Sequence, residues 1–146
     1  MTKIFQAFLS GIFFTFILDF FLFLGIHQNY IKLYDIDVYY NILFADNQNI
    51  YIFSTLSLFI GFTVIYVKNK ITLPILIVMF FLVLLTLFED IGNSVAKKIL
   101  MKENVTIKWK KYTYNGDIYY NGREIITYYD YELKKIILLN KKEIKQ

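Results

Sequence analysis

Residues 4–26 read IFQAFLSGIFFTFILDFFLFLGI, 23 positions with a single charge, Asp19. A bilayer core ~30 Å thick is crossed by ~17–25 helical residues at ~1.5 Å each. A core helix of a soluble protein keeps a polar face, and this stretch has none. Asp19 opposes insertion by ~2.5–3.5 kcal/mol. Against it stand four Ile, four Leu and eight Phe, which together favour insertion by roughly 6 kcal/mol. A cleavable signal peptide needs a shorter apolar core and a small-residue cleavage site, whereas this stretch ends Phe23-Leu24-Gly25-Ile26-His27. It is expected to stay in place as a transmembrane helix.

Residues 50–67 and 71–88 are two more apolar runs, each 18 long and uncharged. Only Lys68-Asn69-Lys70 separates them, which predicts a tight helical hairpin. Pro74 falls in the first turn of the later run, where its missing N–H is harmless. The expected fold is a membrane protein with three transmembrane α-helices, at about 4–26, 50–67 and 71–90, carrying a small C-terminal antiparallel β-meander of about four strands. Residues 1–92 form the transmembrane region, with an aromatic and acidic loop at 27–49. Residues 93–103 are an amphipathic helical linker, and 104–146 a small β module.

Composition agrees with that organisation. Of 146 residues, 57% are hydrophobic and 19% charged, against ~25% charged in a typical soluble domain. The absence of cysteine excludes a disulfide scaffold, thiolate metal sites and thiol catalysis. His27 is the single histidine, which argues against a His-based metal cluster or a Ser-His-Asp triad. A chain rich in Ile, Lys, Asn, Tyr and Phe with one Arg is typical of AT-rich bacterial genomes, so the expected location is a bacterial cytoplasmic membrane. Lys3, Lys68 and Lys70 favour a cytoplasmic N-terminus and helical turn, and the loop carrying Asp35, Asp37 and Asp46 then faces outward with the β module. Lys97, Lys98 and Lys102, close to the membrane, argue for the opposite side.

In lipid, helices associate through small residues and hydrogen bonds. Ala7 and Gly11 lie four apart on the first helix; Ser57 and Gly61 lie four apart on the second, with Ser54 one turn earlier. Counted from the inner ends, Gly11 is seven residues deep and Gly61 six, so an antiparallel pair brings the two notches together. Asp19 and Ser57 each lie seven residues from the outer ends of their helices, and Thr86 is near the outer end of the third. Asp19 is therefore expected to point into the bundle towards Ser54, Ser57 or Thr86. Its expected role is helix glue, ahead of partner docking and of ion or proton handling. No intramembrane Lys, Arg or His completes a relay.

Tyr30, Tyr34, Tyr39, Tyr40 and Phe44 make the loop suited to a membrane boundary, with rings among headgroups and hydroxyls in water. Tyr34, Ile36 and Val38 alternate with Asp35 and Asp37, which predicts a short extended segment or interfacial turn. His27, Asp46, Glu89 and Asp90 complete an acidic rim whose spacing fits no EF-hand. It is expected to be solvated and to pair with the basic tail; no metal or cofactor is implied.

Ile91, Val95 and Ile99 recur every four residues, with Ala96 and Leu100 alongside and Lys97, Lys98 and Lys102 on other faces. That predicts an amphipathic helix whose lysine stems reach lipid phosphates. From Asn104 the period becomes two: Val105, Ile107 and Trp109 alternate with Thr106, Lys108 and Lys110. Asn115-Gly116 and Asn121-Gly122 suit type I′ hairpin turns. A module of 43 residues without disulfides or metal rarely folds on its own core. Ile107, Trp109, Ile125, Ile136 and Leu138 are therefore expected to form an apolar face that rests on a helix, the loop, a second copy or another protein. Open sheet edges invite further pairing.

These features rank the functions. Catalysis is not expected, since Asp19 is the sole acid within the apolar runs and no Ser-Lys pair accompanies it. Transport is disfavoured because the second and third helices offer almost nothing polar to line a pore. The tail carries net charge +4 and no RNA-binding signature, so nucleic acid is no partner unless the tail is cytoplasmic. No small-molecule substrate is implied. The reading left is a non-catalytic multi-pass membrane protein, an accessory or assembly subunit of a bacterial envelope complex. Its partners are the lipid bilayer and other membrane proteins or a second copy, docked through the β module. The alternative is a small oligomeric ion- or proton-handling membrane protein using Asp19.

Overall fold

The computed structural model describes residues 2–109 and 112–144, and among these five α-helices precede a four-stranded antiparallel sheet. Helix α1 spans Lys3–Ile26 and runs unbroken into a π-helical turn, His27–Ile31. Helix α2 spans Tyr40–Asn47, and α3 spans Ile50–Tyr66 at 85° to it. The bend falls at Asn49, whose side chain accepts the Tyr51 and Ile52 N–H groups at 3.0 and 3.2 Å, satisfying donors that a helix start leaves unpaired.

Helix α4 spans Asn69–Leu84 and tightens into a 3₁₀ turn, Leu85–Leu87. It starts earlier than the sequence suggests, so Pro74 lies beyond the first turn, where it removes one ladder donor. The third apolar helix does not continue to residue 90. Phe88 is extended, and Glu89 and Asp90 instead open a separate helix, α5, Glu89–Leu100. Acids in its first turn and Lys97 and Lys98 in its last both complement the helix dipole.

Two segments, Lys3–Ile31 and Asn69–Leu87, are long and apolar enough to cross a membrane, and α2 with α3 makes a third, bent one. Helix α1 lies along α3 for much of its length. Helices α3 and α4 are joined by a short turn, as expected, but they do not form a packed hairpin. The Thr72 hydroxyl donates to the Thr63 carbonyl at 2.9 Å beside the turn; beyond it the helices part, and Thr72 is the one buried residue of α4.

The helices are inside out relative to a water-soluble bundle. Gly11, Thr15, Ser57, Gly61, Thr63 and Thr72 are buried, while Phe8, Phe13, Leu58, Phe62, Ile77 and Phe81 are exposed. On α1 the exposed large apolar side chains run from Ile4 to Phe20 and stop there. Phe23, Ile26, Tyr30 and Ile31, further along, are buried in a core with Ile36, Leu43, Ala96, Leu100 and Tyr120. The upper end of α1 is thus the centre of a small domain built from the loop, α2, α5 and the sheet.

The sheet is a meander in chain order: β1 Lys102–Trp109, β2 Tyr112–Asn121, β3 Ile125–Asp130 and β4 Lys135–Asn140. An antiparallel bridge between Trp109 and Ile144 brings the chain after β4 back to β1. The sheet curls round its own core of Ile107, Ile118, Ile126, Tyr128 and Leu139. Asn115-Gly116 is not a turn: both residues sit within β2, opposite Thr106 and Val105. Gly116 is there because a Cβ would lie 1.9 Å from the Tyr129 carbonyl oxygen, the close approach that a mid-strand glycine permits. β1 ends at Trp109 and β2 begins at Tyr112, so the connection between them does not involve Asn115-Gly116. Gly122 opens the β2–β3 connection without adopting positive φ; Lys134, at φ 50°, supplies the left-handed residue between β3 and β4.

Candidate functional site: the helix–sheet junction

The notches of α1 and α3 meet. A Cβ on Gly11 would lie 1.9 Å from the Ser57 carbonyl oxygen, and one on Gly61 would lie 2.0 Å from that of Ala7. Backbones this close allow Cα–H···O contacts and dense dispersion packing without a side chain between them. The Thr15 and Ser57 hydroxyls are buried in the helix bundle and, among the described residues, have no hydrogen-bond partner.

Asp19 does not reach Ser54, Ser57 or Thr86. Its carboxylate accepts the Gln48 side-chain N–H at 2.9 Å, because the loop folds α2 against the upper half of α1. Phe16 and Phe23 meet Phe44 edge-on at 5.6 and 5.4 Å, and the Tyr40 hydroxyl donates to the Phe20 carbonyl at 2.9 Å. Asp19 is half-buried, at the level where the exposed apolar surface of α1 ends. It clamps the α2–α3 corner to α1 and lies away from the centre of the bundle.

Thr86 serves another junction. Its carbonyl accepts the buried Asn29 amide at 2.9 Å, and its hydroxyl donates to the Val83 carbonyl at 2.7 Å. Gly25 and Gly92 press on the same residue: their Cβ atoms would lie 2.6 and 2.2 Å from the Thr86 carbonyl oxygen. Three segments, the end of α1, the 3₁₀ turn and α5, therefore converge on one peptide unit. The π turn contributes Asn29, Tyr30 and Ile31, three consecutive buried residues. The inward face of α5 is Gly92, Ala96 and Leu100. Of the apolar residues that the sequence sets on one side of this helix, Ala96 and Leu100 are buried, whereas Ile91 and Ile99 are exposed.

The sheet is fixed to this junction by aromatic and polar contacts. The buried Tyr30 donates its hydroxyl to the Tyr119 carbonyl at 2.9 Å. Rings step outward from Tyr30 to Tyr34, Tyr119 and Tyr129, with centroids 4.9, 4.7 and 5.8 Å apart, and the Lys97 ammonium sits 6.0 Å from the centre of the Tyr34 ring. At the far side Arg123 grips Asp46 through Nε and Nη2 at 2.8 and 2.6 Å, one acidic rim residue paired with the tail. Within the curl, the buried Tyr128 hydroxyl donates to the Val105 carbonyl at 2.6 Å. Burial, aided by the charges of Asp130 and Asp117, pushes its phenol up to about 12.

The five apolar residues expected to share one face are divided. Ile107 and Trp109 point into the curl, whereas Ile125, Ile136 and Leu138 are exposed on the outer face. Period-two alternation within each strand does not say which face of one strand matches which face of the next; the strand register decides that, and it pairs Ile118 with Tyr128 and Ile126 with Leu139 on the face of Ile107. A cleft of about 380 Å³ lies between this outer face and the loop, lined by Tyr39, Ile42, Tyr120, Arg123, Ile125 and Leu138. Sequence reasoning missed Gln48, Asn29, Gly25, Gly92 and the Tyr30–Tyr119 tie. The signal was present in part: Gly25 is a small residue near the end of an otherwise bulky apolar run. No family model, curated protein or solved structure matches the chain, so its chemistry is read from its own geometry.

Proposed function

We propose that the chain is a non-catalytic multi-pass membrane protein, an accessory or assembly subunit of a bacterial envelope complex that presents a rigidly mounted β module to its partners. The observation that carries this reading is the inverted distribution of side chains on α1, α3 and α4. Large apolar groups face outward from Ile4 to Phe20 and along α3 and α4, a belt about 24 Å high by helical rise, close to a bilayer's hydrocarbon thickness. The small and polar residues inside it are those that helices use to associate in lipid. Lys3, Lys68 and Lys70 lie at the end of the bundle opposite the sheet, which favours a cytoplasmic N-terminus and an extracytoplasmic module.

Docking falls to the outer sheet face, where Ile125, Ile136 and Leu138 are exposed beside the cleft. The module's own core and its ties to α1 mean that this face is held at a fixed height and angle, as an assembly subunit requires. Asp19 supports glue over ion or proton handling, since its carboxylate accepts the neutral Gln48 amide at the edge of the apolar belt and, among the described residues, makes no ion pair.

Membrane fractionation tests the first part: the chain should resist carbonate extraction, and release into the soluble fraction overturns the reading. Reporter fusions at Asn69 and at the C-terminus test orientation. For docking, photo-crosslinkers at Ile136 and Leu138 should trap a discrete partner in intact membranes, and Ile136→Asp with Leu138→Asp should abolish the adduct while insertion is unchanged. Asp19→Asn, if it abolishes function with abundance and assembly intact, overturns the glue role in favour of proton or ion handling.

A further inference from the structure

Below the point where α1 meets the 3₁₀ turn, α1 and α4 separate and leave an apolar cleft of about 600 Å³. Phe14 and Leu18 line it from α1; Leu73, Ile77, Phe81 and Leu84 line it from α4. Phe21 and Phe80 meet edge-on at 5.3 Å at the sheet end of the helices. Its walls on α4 extend from Leu73 to Leu84, about 16 Å by helical rise. Lys70 lies one turn before Leu73, on the same helical stripe as Ile77 and Leu84, and it is exposed, as is Lys68. The cleft therefore has an oily wall and a cationic end.

Resting on the membrane reading above, we propose that this cleft is a binding site for an anionic phospholipid of the leaflet at the Lys68–Lys70 end, its acyl chain between α1 and α4 and its phosphate on Lys70 and Lys68. A lipid fits better than a protein helix. Lys70 and Lys68 are exposed beyond the Leu73 end of the cleft, and their charge is complementary to a phosphate. Near a membrane surface each lysine is expected to favour an anionic headgroup about fivefold.

The test uses the full chain purified in a neutral detergent and titrated with phosphatidylglycerol or phosphatidylcholine, with bound lipid counted by native mass spectrometry. Phosphatidylglycerol should bind at least about tenfold more tightly, and Lys68→Gln with Lys70→Gln should reduce that preference at least fivefold. Ile77→Trp, which fills the cleft, should remove the bound lipid while carbonate-resistant insertion persists. Equal binding of both lipids, or preference unchanged in the lysine variant, overturns the headgroup assignment. Lipid retained by Ile77→Trp overturns the cleft. The chain has no native cysteine, so a disulfide-linked dimer formed by Ile77→Cys in membranes would identify a second copy as the occupant and overturn the proposal. Extraction of the wild-type chain by carbonate defeats the membrane reading itself, a result distinct from normal insertion without lipid preference.

Discussion

Replacing Gly61 with valine tests the α1–α3 seam. The first added carbon falls 2.0 Å from the Ala7 carbonyl oxygen and 3.2 Å from the Gly11 Cα. Both neighbours are backbone atoms in mid-helix, so neither swings aside. Restoring an ordinary C···O distance of ~3.3 Å requires the helices to part by about 1.3 Å. A gap of that size forfeits a large share of the dispersion energy along the seam. Overpacking costs ~1–3 kcal/mol, and the two further methyl groups of valine put this site at the upper end. Relief from glycine's poor helix propensity returns only a few tenths of a kcal/mol. The expected loss is ~2–3 kcal/mol, roughly 30- to 150-fold in the folded-to-unfolded ratio. Reversible unfolding in mixed micelles, followed by helical circular dichroism, measures it. Gly11→Val should cost a similar amount, and the double variant less than the sum, because the first substitution has already separated the helices. Single variants within ~0.5 kcal/mol of wild type, or strict additivity, refute the close backbone contact.

Other perturbations separate the junction from the seam. Gly92→Ala sets a carbon 2.2 Å from the Thr86 carbonyl oxygen and 2.7 Å from the Asn29 amide nitrogen. It should cost ~1–3 kcal/mol and lower hydrogen-exchange protection in α5 and the π turn, with the α1–α3 seam unaffected. Tyr30→Phe leaves the Tyr119 carbonyl without its donor and should cost ~1 kcal/mol; faster proteolysis near the α5–β1 connection reports the loosened module. The sheet has an alkaline limit. Because Tyr128 titrates at about 12 when folded and at ~10 when unfolded, its neutral form stabilises the fold fully below pH ~10, and that stabilisation is lost as pH rises through about 12. Tyr128→Phe should be weaker at neutral pH, having lost the bond to Val105, but should lose less stability across the alkaline window. Trp109 fluorescence against pH checks it, and an alkaline limb unchanged by the substitution refutes the assignment.

Long uniform patterns were legible in the sequence, and local geometry was not. Residues 4–26, 50–67 and 71–88 announce helices because no strand or loop tolerates so many consecutive large apolar residues without polar relief. The pairing of Gly11 with Gly61 was legible for the same reason: in helices this bulky, two small residues at matched depth define where backbones can approach. The end of the third helix was not legible, because the 3₁₀ turn and the extended Phe88 are imposed by Gly25, Asn29 and Gly92 converging on Thr86, a contact among segments far apart in sequence. Asp19 was given the wrong partners because depth was counted along straight rods. The 85° corner between α2 and α3 brings Gln48 to it instead. Asn115-Gly116 misled through a local preference that the tertiary structure overrode: the dipeptide suits a tight turn, yet Gly116 is needed inside β2 so that Tyr129 can approach.

The size limit on the module has a physical resolution that the sequence left open. A flat four-stranded sheet of this length needs an external cover for its apolar face. Curling to bring Ile144 against Trp109 makes the sheet its own cover. The strands then lose much of one face to the interior, and β2 must still reach the helices with the other. The bulge between Ile118 and Tyr120 does this: Ile118 stays in the curl, while Tyr120 turns out to join Leu43, Ala96 and Leu100 in the second core. One register shift thus lets a single strand serve two cores. Ile125, Ile136 and Leu138 remain outside both cores for a different reason: alternation along β3 and β4 turns them away from Ile126, Tyr128 and Leu139, which face the curl.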